Sequence, residues 1–285
     1  MIIAALVLSL CINSATSAQP TWVPATPVSG DIVEPFGATM IANLPTSTML
    51  YSGDWHYEVS HRFLPSVGTQ GAFLGLDGGA NVRMSVGYGV TDDMSVRIGR
   101  SSLHDNVDAH FKFRFWSNSI ALANSVAGLR LGIARNGDLP GDHQGARLWQ
   151  YYAQLIYNVQ WSDVPLSIGI VPSYLHNTAP FSVRVQSSLV VGFYALYAFR
   201  DSWGLWLETA PVFSGYRGRL WPLERADQRY RSPVSAGLSW ETGGHVFYLF
   251  MTNSLQLNAS QFLAGTPTEM SKGNWHLGFA ITRHL

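Results

Sequence analysis

From residue 51 onward the chain alternates apolar and polar side chains with a period of two, in segments separated by turn-forming residues. Tyr57, Val59, His61 and Phe63 share one face, and His56, Glu58, Ser60 and Arg62 share the other. The clearest segment sets Val107, Ala109, Phe111, Phe113 and Phe115 against Asp108, His110, Lys112 and Arg114. Such alternation sends successive side chains to opposite sides of a pleated strand. The pattern predicts twelve strands, at about 51–63, 80–88, 94–101, 106–116, 124–135, 147–159, 164–175, 186–199, 203–213, 232–241, 245–253 and 273–285. Alternation is weakest in 164–175 and 245–253, where both faces are fairly apolar.

The connections fall into two alternating sets. The short ones are 89–93, 117–123, 160–163, 200–202 and 242–244; the long ones are 64–79, 136–146, 176–185, 214–231 and 254–272. Only 102–105 is a short member of the long set. Strands of this length suit a tilted crossing of a bilayer, and short periplasmic turns alternating with longer external loops characterise outer-membrane barrels. The expected fold is therefore all-β: a transmembrane antiparallel β-barrel of about 12 strands, with short periplasmic turns and longer extracellular loops. Tyr88, Trp116, Tyr157, Trp161, Trp203 and Trp240 lie by the short turns, and Trp149, Tyr174, Phe250 and Trp275 near the long loops. Two such groups are expected as interfacial girdles.

Composition supports a wall that faces lipid. Charged residues are 13% of the chain, about half the share of a soluble domain. Lys+Arg and Asp+Glu are both 18, which gives no basis for a nucleic-acid partner. Residues 2–12 form an unbroken run of apolar and small side chains, followed by small residues up to Ala18. That is the pattern of a signal peptide over 1–18, which exports the chain, and together with the barrel pattern it places the mature chain in the outer membrane. No Lys or Arg precedes the apolar run, which leaves the true start codon open. Cys11, the one cysteine, lies inside the signal. Residues 19–50, with Pro20, Pro24, Pro27 and Pro35, read as a periplasmic lead-in within which 36–43 is a candidate extra strand; 51–285 reads as the barrel.

Several strings carry a resemblance: His61-Arg62-Phe63, Gly75-Leu76-Asp77, Tyr88-Gly89-Val90-Thr91-Asp92-Asp93 running on to Gly99-Arg100-Ser101, Gly243-Gly244-His245-Val246-Phe247, Thr252-Asn253-Ser254, and Gly278-Phe279 with Arg283. As an ordered set they resemble a domain-of-unknown-function family of Gram-negative outer-membrane β-barrel proteins. The resemblance implies the barrel and supplies no activity. The chain ends Arg283-His284-Leu285, without the terminal aromatic usual in barrel insertion signals.

The strand face opposite the lipid side gathers Glu58, Arg62, Arg83, Arg97, Asp108, Lys112, Arg114, Arg130, Glu208 and Glu241, with His56, His110 and His276. Two readings of this lumen stand. It is a narrow channel for small solutes whose positive excess weakly prefers anions, or the charges brace a non-conducting structural or interaction barrel that presents its extracellular loops. The loop 214–231 clusters Arg217, Arg219, Arg225, Arg229 and Arg231, which would pair with lipopolysaccharide phosphates, fold inward as a constriction, or remain a solvated loop. No HExxH, GxSxG or GxGxxG string occurs, so no catalytic centre, cofactor or metal site is expected. The expected partners are outer-membrane lipid and lipopolysaccharide, the barrel-assembly machinery during insertion and, on the channel reading, small solutes.

Overall fold

Each alternating segment becomes a strand, because only a closed ring of strands pairs every backbone N–H and C=O while one face stays apolar. The computed structural model describes residues 38–139, 148–182, 184–217 and 230–285. Its strands are β1 (Trp55–Phe63), β2 (Ala80–Thr91), β3 (Met94–Ser101), β4 (Asn106–Ile120), β5 (Ala123–Asn136), β6 (Trp149–Trp161), β7 (Leu166–His176), β8 (Ser187–Arg200), β9 (Trp203–Thr209), β10 (Val212–Gly215), β11 (Val234–Thr242), β12 (His245–Thr252) and β13 (His276–His284). Neighbours in sequence pair antiparallel from β1 to β9 and from β11 to β13, β10 pairs with β8, β9 also pairs with β11, and β13 pairs with β1, so the sheet closes.

The ninth predicted strand, 203–213, is split. Pro211 has no N–H for the ladder, so β9 stops at Thr209 and the chain resumes on the same partner as β10. The result is a closed barrel of twelve strands plus one short extra strand. The 117–123 connection, expected as a turn, is largely strand: β4 and β5 pair as far as Ile120 and Ala123. Residues 115–120 are exposed on both faces, so this hairpin projects past the apolar wall and has no need to alternate.

Burial follows the predicted faces. In β1 the pattern alternates with His56, Glu58, Ser60 and Arg62 buried, and in β4 with Asp108, His110, Lys112 and Arg114 buried. Around the short-turn end Trp55, Trp116, Trp161, Trp203 and Trp240 stay 37–51% exposed, as a girdle requires. Phe250 is a correction. It was expected in the other girdle, but it points into the lumen at 2% exposure, where the Arg62 guanidinium lies 4.4 Å from its ring centre. A strand with two apolar faces gives no sign of which one meets lipid. On the lipid face the expected cost of charge is large: Leu155→Arg, mid-strand and outward, is expected to lose about 2–4 kcal/mol in reversible unfolding from bilayers.

The core lies inside the ring. Tyr152, Ile156, Val171, Leu175, Val190, Tyr194, Trp206, Tyr248 and Phe250 turn inward from β6 to β12 and pack with Ile41, Leu44, Phe262 and Leu263. The last four come from two segments outside the wall. Residues 38–50, read from the sequence as part of a periplasmic lead-in, are buried throughout the interior. No additional strand forms over the described part of 36–43; a single bridge, Met40 with Pro45, closes a tight loop there. Residues 253–263, expected in an external loop, also fold inward around the short helix α1 (Ala259–Phe262), which is capped by the Asn258 side chain.

Candidate functional site

Among the described residues the lumen is where the wall gathers buried charge, and its two halves differ. The β1–β5 side carries ion pairs and amides, and the β6–β12 side carries the apolar cluster. Nine of the ten predicted lumen residues are buried there: Glu58, Arg62, Arg83, Arg97, Asp108, Lys112, Arg114, Arg130 and Glu208. Glu241 turns inward at the short-turn mouth and is exposed. It lines a small vestibule of about 70 Å³ with Ala38, Ile41, Asp201 and Tyr248.

Register places the charges side by side. Ser60 pairs with Arg83 across β1 and β2, Gly99 with Asp108 and Arg97 with His110 across β3 and β4, and Lys112 with Arg130 across β4 and β5. Arg83 donates through Nη2 to Asp108 Oδ2 at 2.8 Å and lies 3.4 Å from Glu58. Arg97 reaches the other Glu58 oxygen at 2.5 Å and also contacts His56 Nδ1 at 3.0 Å. Arg114 stands apart near the short turns, held by Asp93 at 2.7 Å. Arg130 meets His110 and the Tyr152 hydroxyl through Nη2, while its Nε and Nη1 are buried without a partner among the described residues.

Residues 38–50 carry no charged side chain, yet they complete the charged wall. Their backbone supplies dipoles of both signs. Lys112 Nζ donates to the carbonyls of Thr48 and Thr39 at 2.5 and 3.3 Å. Glu208 accepts from the backbone N–H groups of Asn43 and Leu44, both at 3.1 Å, and from the Asn43 side-chain amide at 2.5 Å. Asn43 in turn accepts from Arg62 at 3.0 Å, and Thr39 Oγ1 accepts from Arg97 at 2.8 Å. Tyr194 and Tyr248 donate to the carbonyls of Pro45 and Met40 at 2.9 and 3.1 Å. Buried ions and buried backbone groups are costly unless paired, so wall and insert satisfy each other.

Glycine makes room for two of the tyrosines. A Cβ on Gly132 or on Gly169 would sit 2.1 Å from the rings of Tyr152 and Tyr194 respectively. Without side chains there, each ring lies across the neighbouring strand and its hydroxyl reaches inward.

The opposite mouth is crossed by 253–263. Asn81 donates to the Leu255 carbonyl at 3.1 Å, Asn258 contacts Asn106 and Asp108, and Gln261 reaches the Leu103 carbonyl at 2.7 Å. The loop starts between β12 and β13 and docks on the far wall at β4, so it spans the lumen. Sequence reasoning missed both inserts and the apolar half of the lumen. The available signal was the two-faced hydrophobicity of 164–175 and 245–253. An inner strand face that is also apolar has a dry neighbour, not water.

Of the arginine-rich loop 214–231, residues 218–229, with Arg219, Arg225 and Arg229, lie outside the described residues, as do the signal segment 1–18 and the lead-in up to residue 37. Arg217 donates to the carbonyls of Val212 and Phe213, and Arg231 pairs with Glu269 at 3.4 Å. Among the described residues no group of three or more His, Cys, Asp or Glu is placed to hold a metal ion.

Comparison with known proteins gives a family match over residues 36–285, to a membrane bound beta barrel domain (DUF5777). No curated protein matches the chain. Among solved structures, a NanC porin is similar at 9% identity and TM-score 0.47, covering 80% of this chain and 97% of that one. An outer membrane channel from Pseudomonas putida F1 is similar at 13% identity and TM-score 0.47, covering 84% and 98%. LpxR from Salmonella typhimurium is similar at 9% identity and TM-score 0.35, covering 81% and 99%.

Proposed function

The chain belongs to the membrane bound beta barrel domain family (DUF5777) and is an outer-membrane β-barrel, and on that premise we propose that it is a channel for small solutes held shut by its own residues 38–50. The observation that carries this reading is the set of wall-to-insert hydrogen bonds, in which Lys112, Arg97, Arg62 and Glu208 all hold one neutral segment. A barrel that only needed bracing would pair its wall charges with each other. Here several are completed by a segment that enters the lumen and returns within thirteen residues, 38–50, a length that can be withdrawn without breaking a strand pair.

With the segment withdrawn, Arg62, Arg97, Lys112 and Arg130 would face water across from Glu208, and the passage would weakly prefer anions. The reading is of a non-enzymatic barrel, since the buried acids and bases are engaged by each other and by the insert. Its rival is a permanently closed structural or interaction barrel, favoured by the second obstruction at 253–263.

Planar-bilayer recording separates the two. The wild-type barrel is expected to insert and stay closed for long periods. A variant lacking 38–50, with and without removal of 254–264, is expected to conduct with a modest anion preference at low salt. Steady conductance by the wild type would overturn the closed reading. Silence from both folded deletion variants would favour the structural barrel.

A further inference from the structure

The outer face of β2 to β5 can be laid out in rows from the strand register. One row near the long loops holds Arg100, Val107 and Arg135 and continues to Trp149 on β6. The next row toward the short turns holds Ile98, Ala109 and Ile133, and the one after that holds Tyr88, Val96, Phe111 and Leu131. Successive rows on one face are about 6.5–7 Å apart, and strands two apart are separated by about 9.5 Å. Arg100 and Arg135 therefore stand as a pair on either side of the small Val107, directly above an apolar field.

That field is a shallow depression, open to the lipid side, with the two arginines one row above its edge. Ala109 is the smallest outward side chain in it, and the larger neighbours Ile98, Ile133, Phe111, Leu131 and Tyr88 border a space of about 810 Å³. The two arginines are exposed. Arg100 keeps one partner, Asp105 at 2.5 Å, and its side chain is still 64% exposed. Arg135 forms no ion pair among the described residues. Trp149 in the same row marks headgroup depth, because indole rings collect at the boundary between hydrocarbon and water.

We propose that this is a seat for one phosphorylated glycolipid of the outer leaflet, the lipid A part of lipopolysaccharide. Its phosphates lie between Arg100 and Arg135, and an acyl chain fills the hollow over Ala109. Guanidinium is the side-chain group best matched to phosphate, offering paired donors in one plane. A wall that met lipid only in general would need neither the hollow nor the charges in register above it. The seat is independent of whether the lumen conducts.

The test is titration of the purified, folded barrel in detergent with lipid A, read by native mass spectrometry, beside lipid A stripped of its phosphates. One lipid A per barrel is expected to be retained. Loss of even one charge-assisted hydrogen bond weakens binding about tenfold or more, and Arg100→Gln/Arg135→Gln is expected to do so. The stripped lipid is expected to bind the wild type as weakly as lipid A binds that double variant. Ala109→Trp, which fills the hollow and leaves the arginines, is expected to weaken lipid A as well. Should Ala109→Trp fail to fold, Arg135→Gln alone, at an exposed site, still reads the phosphate contact. Undiminished lipid A binding by the arginine variants, or equal binding of the stripped lipid, overturns the proposal.

Discussion

Asp108→Leu is expected to be among the most damaging single changes in the barrel, lowering stability by about 3–5 kcal/mol, because it leaves a buried guanidinium uncompensated. Arg83 and Asp108 are each almost wholly buried, 1% and 0% by side chain, and meet at 2.8 Å. Without Asp108, Arg83 keeps only the 3.4 Å contact with Glu58, an acid already shared with Arg97 at 2.5 Å. Asp108 also accepts from Asn258 at 3.3 Å, so the change loosens the docking of 253–263 on the wall. The control is the pair: Arg83→Met/Asp108→Leu removes both charges and is expected to recover most of the loss, since a buried ion pair contributes little net stability over a well-packed apolar pair. Equilibrium unfolding of the barrel in lipid vesicles measures both. A loss below about 1 kcal/mol for the single variant would mean that water reaches Arg83 in the folded barrel.

Glu208→Ala tests the proposed closure. Glu208 is wholly buried and holds the turn of the insert through three hydrogen bonds from Asn43 and Leu44. Its removal leaves two backbone N–H groups without acceptors and takes the nearest acid from the Arg62–Asn43 contact. Each buried donor left unmet costs about 1–3 kcal/mol, enough to shift a closed insert toward a withdrawn one by tenfold or more. The variant is expected to open in bilayers where the wild type is silent. Glu208→Gln, which keeps one acceptor oxygen, is expected to fall between them. A protease acting from the short-turn side gives a second readout: faster cleavage within 38–50 in Glu208→Ala than in the wild type. Equal cleavage and equal silence in both would place the hold on the insert elsewhere, in Lys112, Tyr194 and Tyr248.

The barrel itself was legible along the chain because each strand states its own two faces. A side chain one position on points the opposite way whatever the strand pairs with, so Asp108, His110, Lys112 and Arg114 had to share a side and Phe111 and Phe113 the other. Loop lengths carried the order of strands for the same local reason, since a turn of a few residues can join only adjacent antiparallel neighbours. The split at Pro211 and the projecting hairpin at 117–123 were departures of detail, each traceable to a local property: a missing N–H in one, water on both faces in the other.

What the inner face meets was decided only in three dimensions. Residues 38–50 mix apolar and small polar side chains, carry no charge and show no period, and nothing near them in the chain names their partners. Asn43 meets Glu208 at a separation of 165 residues, and Met40 meets Tyr248 at 208. A strand's alternation records that a side chain points inward, but a buried lysine reads the same whether water, a carboxylate or a backbone carbonyl completes it. The sequence by itself therefore determined the wall and its two faces. The packing of 38–50 and 253–263 into the lumen, and the depression below Arg100 and Arg135, were decided by tertiary structure, because each depends on which distant groups come together once the ring has closed.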